Sequence, residues 1–291
     1  MQVEIVCETI SELGEGPVWD APRSLICWVD ILNGLIHEWS PQRKTCHTME
    51  VGQMIGAVAV CTDGNYVAAM KNGFGFIDRR TGQIDPIANP EKDLPDNRFN
   101  DGKCDPSGRF WAGTLPFSED RDAGSLYVLR NDGSVERKVE RVTISNGLAW
   151  DLKKGTFYYI DTPTLKVVAY DYDDRTGEID NKRTLIDIPR EAGFPDGMTI
   201  DNEGMLWVAH WGGWQVTRWD PNTRTLLDSI KLPVSNVTSL AFGGETLEDL
   251  YITSARKGLS EAELKGQPLA GSLFVIRNCG YKGVPANEFK I

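Results

Sequence analysis

Six times along its 291 residues, the chain returns to the same local pattern. The pattern is a turn of Asp-x-x-Gly type, an apolar strand, a short link containing glycine and a second, alternating strand. The turn recurs at intervals of about 42 to 50 residues. The six occurrences begin at Asp20, Cys61, Asp105, Asp151, Asp201 and Gly244. Self-similarity of this kind indicates one supersecondary unit repeated along the chain, which leaves no room for a second domain.

Each repeat contains about four strands. An apolar segment precedes each turn, as in GAVAV, and another follows the second strand, as in TLIDI. A period in the forties with four strands per repeat is typical of propeller blades, whereas tandem hairpins in a sandwich predict no fixed interval. We therefore predict an all-β, six-bladed propeller as a single domain over residues 1–291. A strand near Val3–Glu8 precedes the first repeat and is expected to close the last blade as its outer strand. One short helix is predicted at Leu259–Gly266, where Ser260 and Glu263 form a capping-box pattern.

The charge balance argues against two classes of partner. Asp and Glu number 42 and Lys and Arg 31, so the formal net charge is −11. Such a chain has no basic surface for phosphate backbones or anionic lipid, so we expect neither a nucleic-acid nor a membrane partner. No apolar run approaches the roughly 18 residues of a membrane-spanning helix. An acidic chain suits a cationic partner, including a metal ion, although the charge can equally serve solubility.

The low histidine content and the scattered cysteines narrow the range of metal sites and catalytic groups that the chain can form. Only 3 His residues are present, which disfavours His-rich metal sites and leaves few candidates for a Ser-His-Asp or Cys-His catalyst. The 6 Cys residues are scattered without a CxxC pair, and the N-terminal stretch does not resemble a secretion signal. We therefore expect free thiols, a cytoplasmic location and a monomer or weak homo-oligomer.

One position of the repeat carries oxygen donors in most blades. It lies directly before the residue, usually glycine, that opens the innermost strand. In chain order, this position is occupied by Glu15, Ile55, Asp101, Asn146, Asp196 and Thr238. Asn-Gly and Asp-Gly are common turn dipeptides, but chance turns would not select one register four times. Innermost strands of a propeller face a common axis, so these side chains are expected to converge. Converging carboxylate and amide oxygens predict a divalent cation: Ca²⁺, Mg²⁺, Mn²⁺, Zn²⁺ or Fe(II), with positions open to water and substrate.

Other residues are weaker candidates. Arg98 lies two residues before Asn100 and is either a ligand contact or an ordinary surface arginine. His210 ends a strand near the expected channel mouth, and Trp211 follows it; both are possible pocket residues, although both types also serve as structural core. Asp161 ends its strand and is a candidate neighbour of the ligands.

Several segments, in order along nearly the whole chain, resemble the senescence-marker-protein, gluconolactonase and regucalcin family. They read LGEGPVWD (13–20), RFNDGKCDPSGRFWAGT (98–114), SNGLAWD (145–151), FYYIDT (157–162), FPDGMTIDNEGMLWVA (194–209) and LYITSARKGLS (250–260). Two further segments, HWGGW and PLAGSLFVI, are most similar to bacterial sugar lactonases such as xylonolactonase. The resemblance implies a six-bladed propeller with one catalytic divalent metal on its axis.

The resemblance also implies roles for individual residues. Glu15, Asn146 and Asp196 match the family's metal ligands, and all three belong to the register chosen above. Arg98, Asn100 and Asp101 match the segment that contacts substrate hydroxyls. Asp196 is implied to be the catalytic base as well as a ligand.

One departure from the family affects substrate preference. Animal members carry a Glu pair after the AGT motif that helps to bind substrate, whereas this chain has Phe117 and Ser118 there. The animal preference therefore does not carry over.

The implied reaction is hydrolysis of a sugar 1,4- or 1,5-lactone, an aldonolactone, to its aldonic acid in oxidative sugar catabolism. Metal-dependent arylesterase or phosphotriesterase activity is an alternative that needs a more apolar pocket. A non-enzymatic calcium-binding regulator is a second alternative, which predicts tight Ca²⁺ binding. A metal-free, protein-binding propeller is a third, and it leaves the shared register of oxygen donors unexplained.

Overall fold

The computed structural model describes residues 2–291, in which six four-stranded antiparallel sheets are arranged as a ring. The innermost strand of each sheet contacts the innermost strands of the two neighbouring sheets, and the last of them contacts the first. The six-bladed propeller predicted from the repeat is confirmed. Blades one to five are consecutive stretches of chain, and the sixth combines the two ends of the described chain.

The strands fall into four sets by their position in the blade. The innermost strands of blades one to six are β2 (Gly14–Asp20), β6 (Ile55–Val60), β10 (Asn97–Cys104), β14 (Ser145–Asp151), β18 (Phe194–Ile200) and β22 (Val237–Gly243). The second strands are β3 (Leu25–Asp30), β7 (Tyr66–Met70), β11 (Phe110–Pro116), β15 (Thr156–Asp161), β19 (Leu206–Trp211) and β23 (Asp249–Ser254). The third strands are β4 (Leu35–Ser40), β8 (Gly73–Ile77), β12 (Gly124–Leu129), β16 (Lys166–Asp173), β20 (Gln215–Asp220) and β24 (Ser272–Ile276). The outer strands are β5 (Thr45–Glu50), β9 (Ile84–Ala88), β13 (Val135–Val142), β17 (Glu178–Asp187), β21 (Thr225–Lys231) and β1 (Glu4–Ile10).

The sixth blade joins a strand near the beginning of the described chain to strands from residues 237–276. Strand β1 pairs antiparallel with β24, with Glu4 opposite Val275 and Ile5 opposite Phe274. The outer strand of this blade thus comes from residues near the N-terminus, and its other three strands come from residues 237–276.

The core lies between the faces of adjacent blades, and for this reason the inner strands are buried on both sides. All seven residues of β14 are buried, for example. Between blades three and four, the rings of Trp111, Trp150 and Phe157 pack with centroids 4.9 to 5.9 Å apart. Such aromatic contacts add to the burial of apolar area that holds neighbouring blades together.

One α-helix is present among the described residues, α1 (Glu261–Gly266). Ser260 caps it, and both hydrogen bonds of the capping box with Glu263 are formed, as the sequence predicts. No helix between residues 2 and 291 is both long and apolar enough to cross a bilayer.

After the sixth blade, the chain runs across one face of the ring, which we call the lower face. Gly283 bridges to Asp201 in blade five, and Phe289 bridges to Cys61 in blade two. Between them, the Asn287 side chain donates to the carbonyl of Cys104. This C-terminal segment (residues 283–291) therefore joins several blades at their lower ends.

Candidate functional site

The pairing of every innermost strand with the second strand of its blade is interrupted at one equivalent position. The register shifts, as at a β-bulge, at residues 15–18, 55–57, 99–102, 146–148, 195–198 and 237–239. A bulge redirects the side chains beside it. The repeat position that carries the oxygen donors in the sequence therefore coincides with a backbone irregularity common to all six blades.

Three acidic side chains from this register are buried together near the axis. Glu15, Asp101 and Asp196 are each no more than 5% exposed. Burial, reinforced by the neighbouring Asp101, raises the pKa of Glu15 to about 8. Burial and the nearby charges of Glu15 and Asp101 raise the pKa of Asp196 well above its usual range. Confining these groups together is unfavourable unless a proton or a cation is shared between them.

The donor set at this cluster fits a divalent cation. Oδ1 of Asp196 is buried without a hydrogen-bond partner, and burial, helped by the charge of the nearby Glu15 carboxyl group, raises the pKa of Asp196. Across residues 2–291, no three His, Cys, Asp or Glu side chains form a group that would hold a metal by themselves. A cation would therefore need a third ligand of another type, and the amide oxygen of Asn146 is the candidate.

The amide groups beside the carboxylates are held by an ordered set of hydrogen bonds. Nη1 of Arg98 donates to Oδ1 of Asn100 at 2.8 Å and to the Phe99 carbonyl at 3.0 Å. Nδ2 of Asn100 donates to Oδ1 of Asn146 at 2.9 Å and to the Ser145 carbonyl at 2.8 Å. Sequence-predicted residues from blades three and four thus make direct contact.

Glu15, Asn146 and Asp196 line the floor of a cavity of about 470 Å³. Its walls combine polar and apolar groups: Leu13, Glu15, Arg98, Asn100, Leu115, Glu119, Ile144, Asn146, Thr162, Pro163, Phe194, Asp196, Trp211, Lys257 and Gly258. Burial lowers the pKa of Arg98 to about 10, so its guanidinium stays charged at neutral pH. The cavity has the size and mixed lining of a small-molecule site.

Two predicted site residues do not line this cavity. Asp101 instead borders a smaller inner cavity of about 90 Å³ on the lower side of the cluster, together with Lys103. His210 is fully buried, and its Nε2 is hydrogen bonded to the Thr217 hydroxyl at 2.6 Å. Its neighbour Trp211 does reach the cavity wall.

The cavity rim includes charged residues that the sequence did not single out. Glu119 of blade three and Lys257 of blade six form an ion pair of 3.0 Å, and both line the cavity. Phe117 and Ser118, which replace the animal Glu pair, are exposed and do not line it. Glu119 lies one residue beyond that position, in the link between β11 and β12, whose sequence does not recur in the other repeats, so no periodic signal marks it.

Thr162 is a second residue that the sequence reasoning missed. It directly follows Asp161, which was considered because it ends a strand. Asp161 accepts hydrogen bonds from the backbone N–H groups of Thr143 and Ile144. Thr162, by contrast, contacts the candidate ligand Asn146, whose Nδ2 donates to the Thr162 hydroxyl at 2.7 Å. Its only sequence signal is its place after the FYYID strand.

Comparison with known proteins identifies relatives over almost the whole chain. Residues 13–256 match the family model described as "SMP-30/Gluconolactonase/LRE-like region". Regucalcin of Xenopus laevis is 40% identical over 294 residues, which cover 99% of this chain and 98% of the relative. The "Putative sugar lactone lactonase YvrE" of Bacillus subtilis is 40% identical over 288 residues, 98% of either chain.

A solved structure of similar fold is that of a calcium-binding protein, regucalcin, from Agrobacterium tumefaciens. Its TM-score is 0.93 at 30% sequence identity, over 99% of this chain and 97% of that one. A gluconolactonase from Xanthomonas campestris has a TM-score of 0.76 at 20% identity, over 94% and 88% of the two chains, which shows a common fold.

Proposed function

The chain belongs to the SMP-30/gluconolactonase/LRE-like family, and from this premise we propose that it hydrolyses a sugar lactone to the aldonic acid with the help of one divalent cation. The family and its named lactonases support a lactone-hydrolysing hydrolase. The observation that carries the proposal is the unpartnered, buried Oδ1 of Asp196 at the floor of a cavity with polar walls.

Glu15, Asn146 and Asp196 would hold the cation. When bound, a divalent cation supplies Lewis acidity, which polarises an ester carbonyl and makes water more acidic. Because both carboxyl groups have raised pKa values through burial and mutual repulsion, a cation would also favour their ionised forms.

Asp196 would also serve as general base, through the carboxylate oxygen that the cation does not occupy. The water oxygen attacks the lactone carbonyl carbon, and the proton it loses passes to Asp196. The ring C–O bond then breaks, and the same proton is returned to the departing ring oxygen, which becomes the new hydroxyl group. No covalent enzyme intermediate is required.

Arg98 and Asn100 would orient the sugar ring. Both line the cavity, and one guanidinium nitrogen of Arg98 is fixed on Asn100, which leaves its other N–H groups to donate to ring hydroxyls. Asp101 faces the inner cavity, so its contribution would be to the charge of the cluster rather than to substrate contact.

The test is to strip the protein of metal and titrate it with Fe(II), Zn²⁺, Mn²⁺, Mg²⁺ and Ca²⁺ while acid release from a panel of 1,4- and 1,5-aldonolactones is followed. We expect cation-dependent rates well above spontaneous ring opening. Asp196→Asn, which keeps the side-chain shape, should lower the rate by at least about 100-fold, in line with loss of a general base.

Three results would contradict the proposal. Equal rates for the Asp196→Asn variant and the wild type would exclude Asp196 as the base. Tight Ca²⁺ binding without hydrolysis of any lactone would favour a calcium-binding regulator. Turnover of aryl esters or phosphotriesters alone would favour the esterase alternative.

A further inference from the structure

A chain of side-chain hydrogen bonds runs across the floor of the cavity. It includes Thr162, to which the proposed function gives no role. It runs from Arg98 through Asn100 to Asn146, and then from Nδ2 of Asn146 to Oγ1 of Thr162 at 2.7 Å. The Thr162 hydroxyl donates in turn to the carbonyl of Pro195 at 2.8 Å. The chain therefore links the strand that carries Asn146 to the residue that precedes Asp196.

We propose that Thr162 is a positioning residue, which keeps the side-chain oxygen of Asn146 turned toward the carboxylate pair. The proposal rests on the proposed function, because it concerns the third ligand of the cation.

Counting hydrogens fixes the direction of the chain. The Thr162 hydroxyl has one hydrogen, and the carbonyl of Pro195 can only accept, so this hydrogen is committed. The hydroxyl oxygen must then accept from its other neighbour, and only the NH₂ group of Asn146 can donate to it. Oδ1 of Asn146 is thereby turned away from Thr162.

The opposite end of the chain requires the same orientation. The guanidinium of Arg98 has donors only, so it must meet Oδ1 of Asn100. Nδ2 of Asn100 then faces Asn146, which must offer its oxygen. Since a donor-only group stands at one end and an acceptor-only group at the other, neither amide can rotate by 180° without losing hydrogen bonds.

Local structure holds Thr162 in place. It begins the 3₁₀ turn Thr162–Thr164, and the backbone N–H of Thr162 donates to the Ile144 carbonyl at 3.1 Å. The side chain is buried at the cavity wall, beside Pro163. A hydroxyl on this fixed turn joins its own blade, through Asn146, to blade five, through the carbonyl of Pro195.

Loss of the hydroxyl should weaken cation binding. With Thr162→Val, the NH₂ group of Asn146 loses its acceptor, and only the hydrogen bond from Asn100 is left to hold the amide with its oxygen toward the cation. Removing a partner that orients a ligand typically weakens metal affinity by about 10- to 100-fold. Thr162→Ser keeps the hydroxyl and should stay within about 3-fold of the wild type.

The experiment is calorimetric titration of metal-stripped protein with Mn²⁺ and Ca²⁺, with no lactone present, accompanied by thermal unfolding of each variant. We expect the valine variant to lose at least 10-fold in affinity, in line with that range, while the serine variant retains it. Equal affinities for the wild type and the valine variant would overturn the proposal, as would absence of cation binding by the wild type.

A second pair of variants, made in the Asn146→Asp protein, distinguishes a loss of Asn146 orientation from general damage to the fold. Asn146→Asp replaces the amide by two equivalent oxygens, so orientation no longer matters. In this background, Thr162→Val should lower the cation affinity only slightly. The double-mutant cycle should therefore give a large coupling free energy between positions 146 and 162. An undiminished loss of affinity would show that Thr162 serves stability alone. A wild type that binds cation but hydrolyses no lactone would refute the proposed function and leave this inference intact.

Discussion

The His210 imidazole is completely buried, with Nε2 bonded to Thr217 and Nδ1 without a partner. Burial lowers the pKa of His210 to about 4, from its ordinary value of 6.5. A protonated imidazole would place an additional charge in the interior of blade five, and nothing in the described residues offers Nδ1 an acceptor. At the residue scale, His210 is thus a source of acid sensitivity rather than a cavity contact.

This sensitivity is testable by unfolding at several pH values. The unfolded chain takes up a proton on His210 near pH 6.5, whereas the folded chain does so only near pH 4. The contribution of His210 to stability is therefore complete above about pH 6.5 and is lost as the pH falls toward 4, by at most about 3 kcal/mol. His210→Gln keeps a polar group able to hydrogen bond to Thr217 but cannot take up a proton, so it should flatten this part of the profile. Identical slopes for both proteins in chemical denaturation between pH 7 and 4.5 would contradict the expectation.

Residue positions were predictable to the extent that the repeat specifies them. Glu15, Asn146 and Asp196 occupy one register and converge as a shared axis requires. The direction of each side chain depends on how the local register shift turns it, and for this reason the sequence did not reveal that Asp101 faces the inner cavity. Residues after strand ends, such as Thr162 and Glu119, follow no period and were missed.

At the scale of elements, glycines allow the innermost strands to approach each other closely. A Cβ atom on Gly147 would lie 2.9 Å from the carbonyl oxygen of Asp196, and one on Gly197 would lie 2.6 Å from Cβ of Ser239. Neither glycine has a positive φ, so these positions need glycine for space rather than for backbone conformation. The sequence repeat locates these glycines but does not reveal the close approach of neighbouring strands that requires them.

Gly197→Ala should therefore disturb both packing and the site. We expect a loss of about 1 to 3 kcal/mol in the free energy of unfolding from overpacking, together with weaker cation binding because Asp196 is adjacent. Gly266→Ala is the matched control, since an added Cβ there meets nothing within 4 Å. Chemical denaturation and calorimetry measure the two effects. The double variant with Ser239→Gly should lose less than the sum of the single changes; simple additivity would rule out the proposed clash.

At the scale of the whole molecule, the C-terminal segment holds the lower ends of several blades. Phe289 is 1% exposed, packs against Phe76 with centroids 5.7 Å apart, and exchanges backbone hydrogen bonds with Val60 and Thr62. Residues 284–287 border the inner cavity below Asp101. The sequence repeat predicted the ring of blades. The C-terminal segment follows no period and lies outside the repeat, so the sequence did not predict its position.

Phe289→Ala should lower the stability of the whole fold while leaving cation binding at the site unchanged. Removing a fully buried phenylalanine typically costs about 3 to 5 kcal/mol, whereas Val284→Ala, at a side chain 42% exposed, should change stability by less than about 0.5 kcal/mol. Denaturant titration gives these values. Cation affinity of the folded Phe289→Ala variant should equal that of the wild type, and a parallel fall in affinity would show that the lower face is coupled to the cluster.

The register shift shared by all six innermost strands has a consequence for how such a molecule can change over evolution. Two of the six equivalent positions, Ile55 and Thr238, carry no carboxylate or primary amide, although the backbone there is interrupted in the same way. The scaffold thus presents six backbone positions of the same kind around one axis, although their side chains do not all face the same cavity. A new preference for ion or substrate can arise from exchanging single side chains at these positions, with the architecture left untouched.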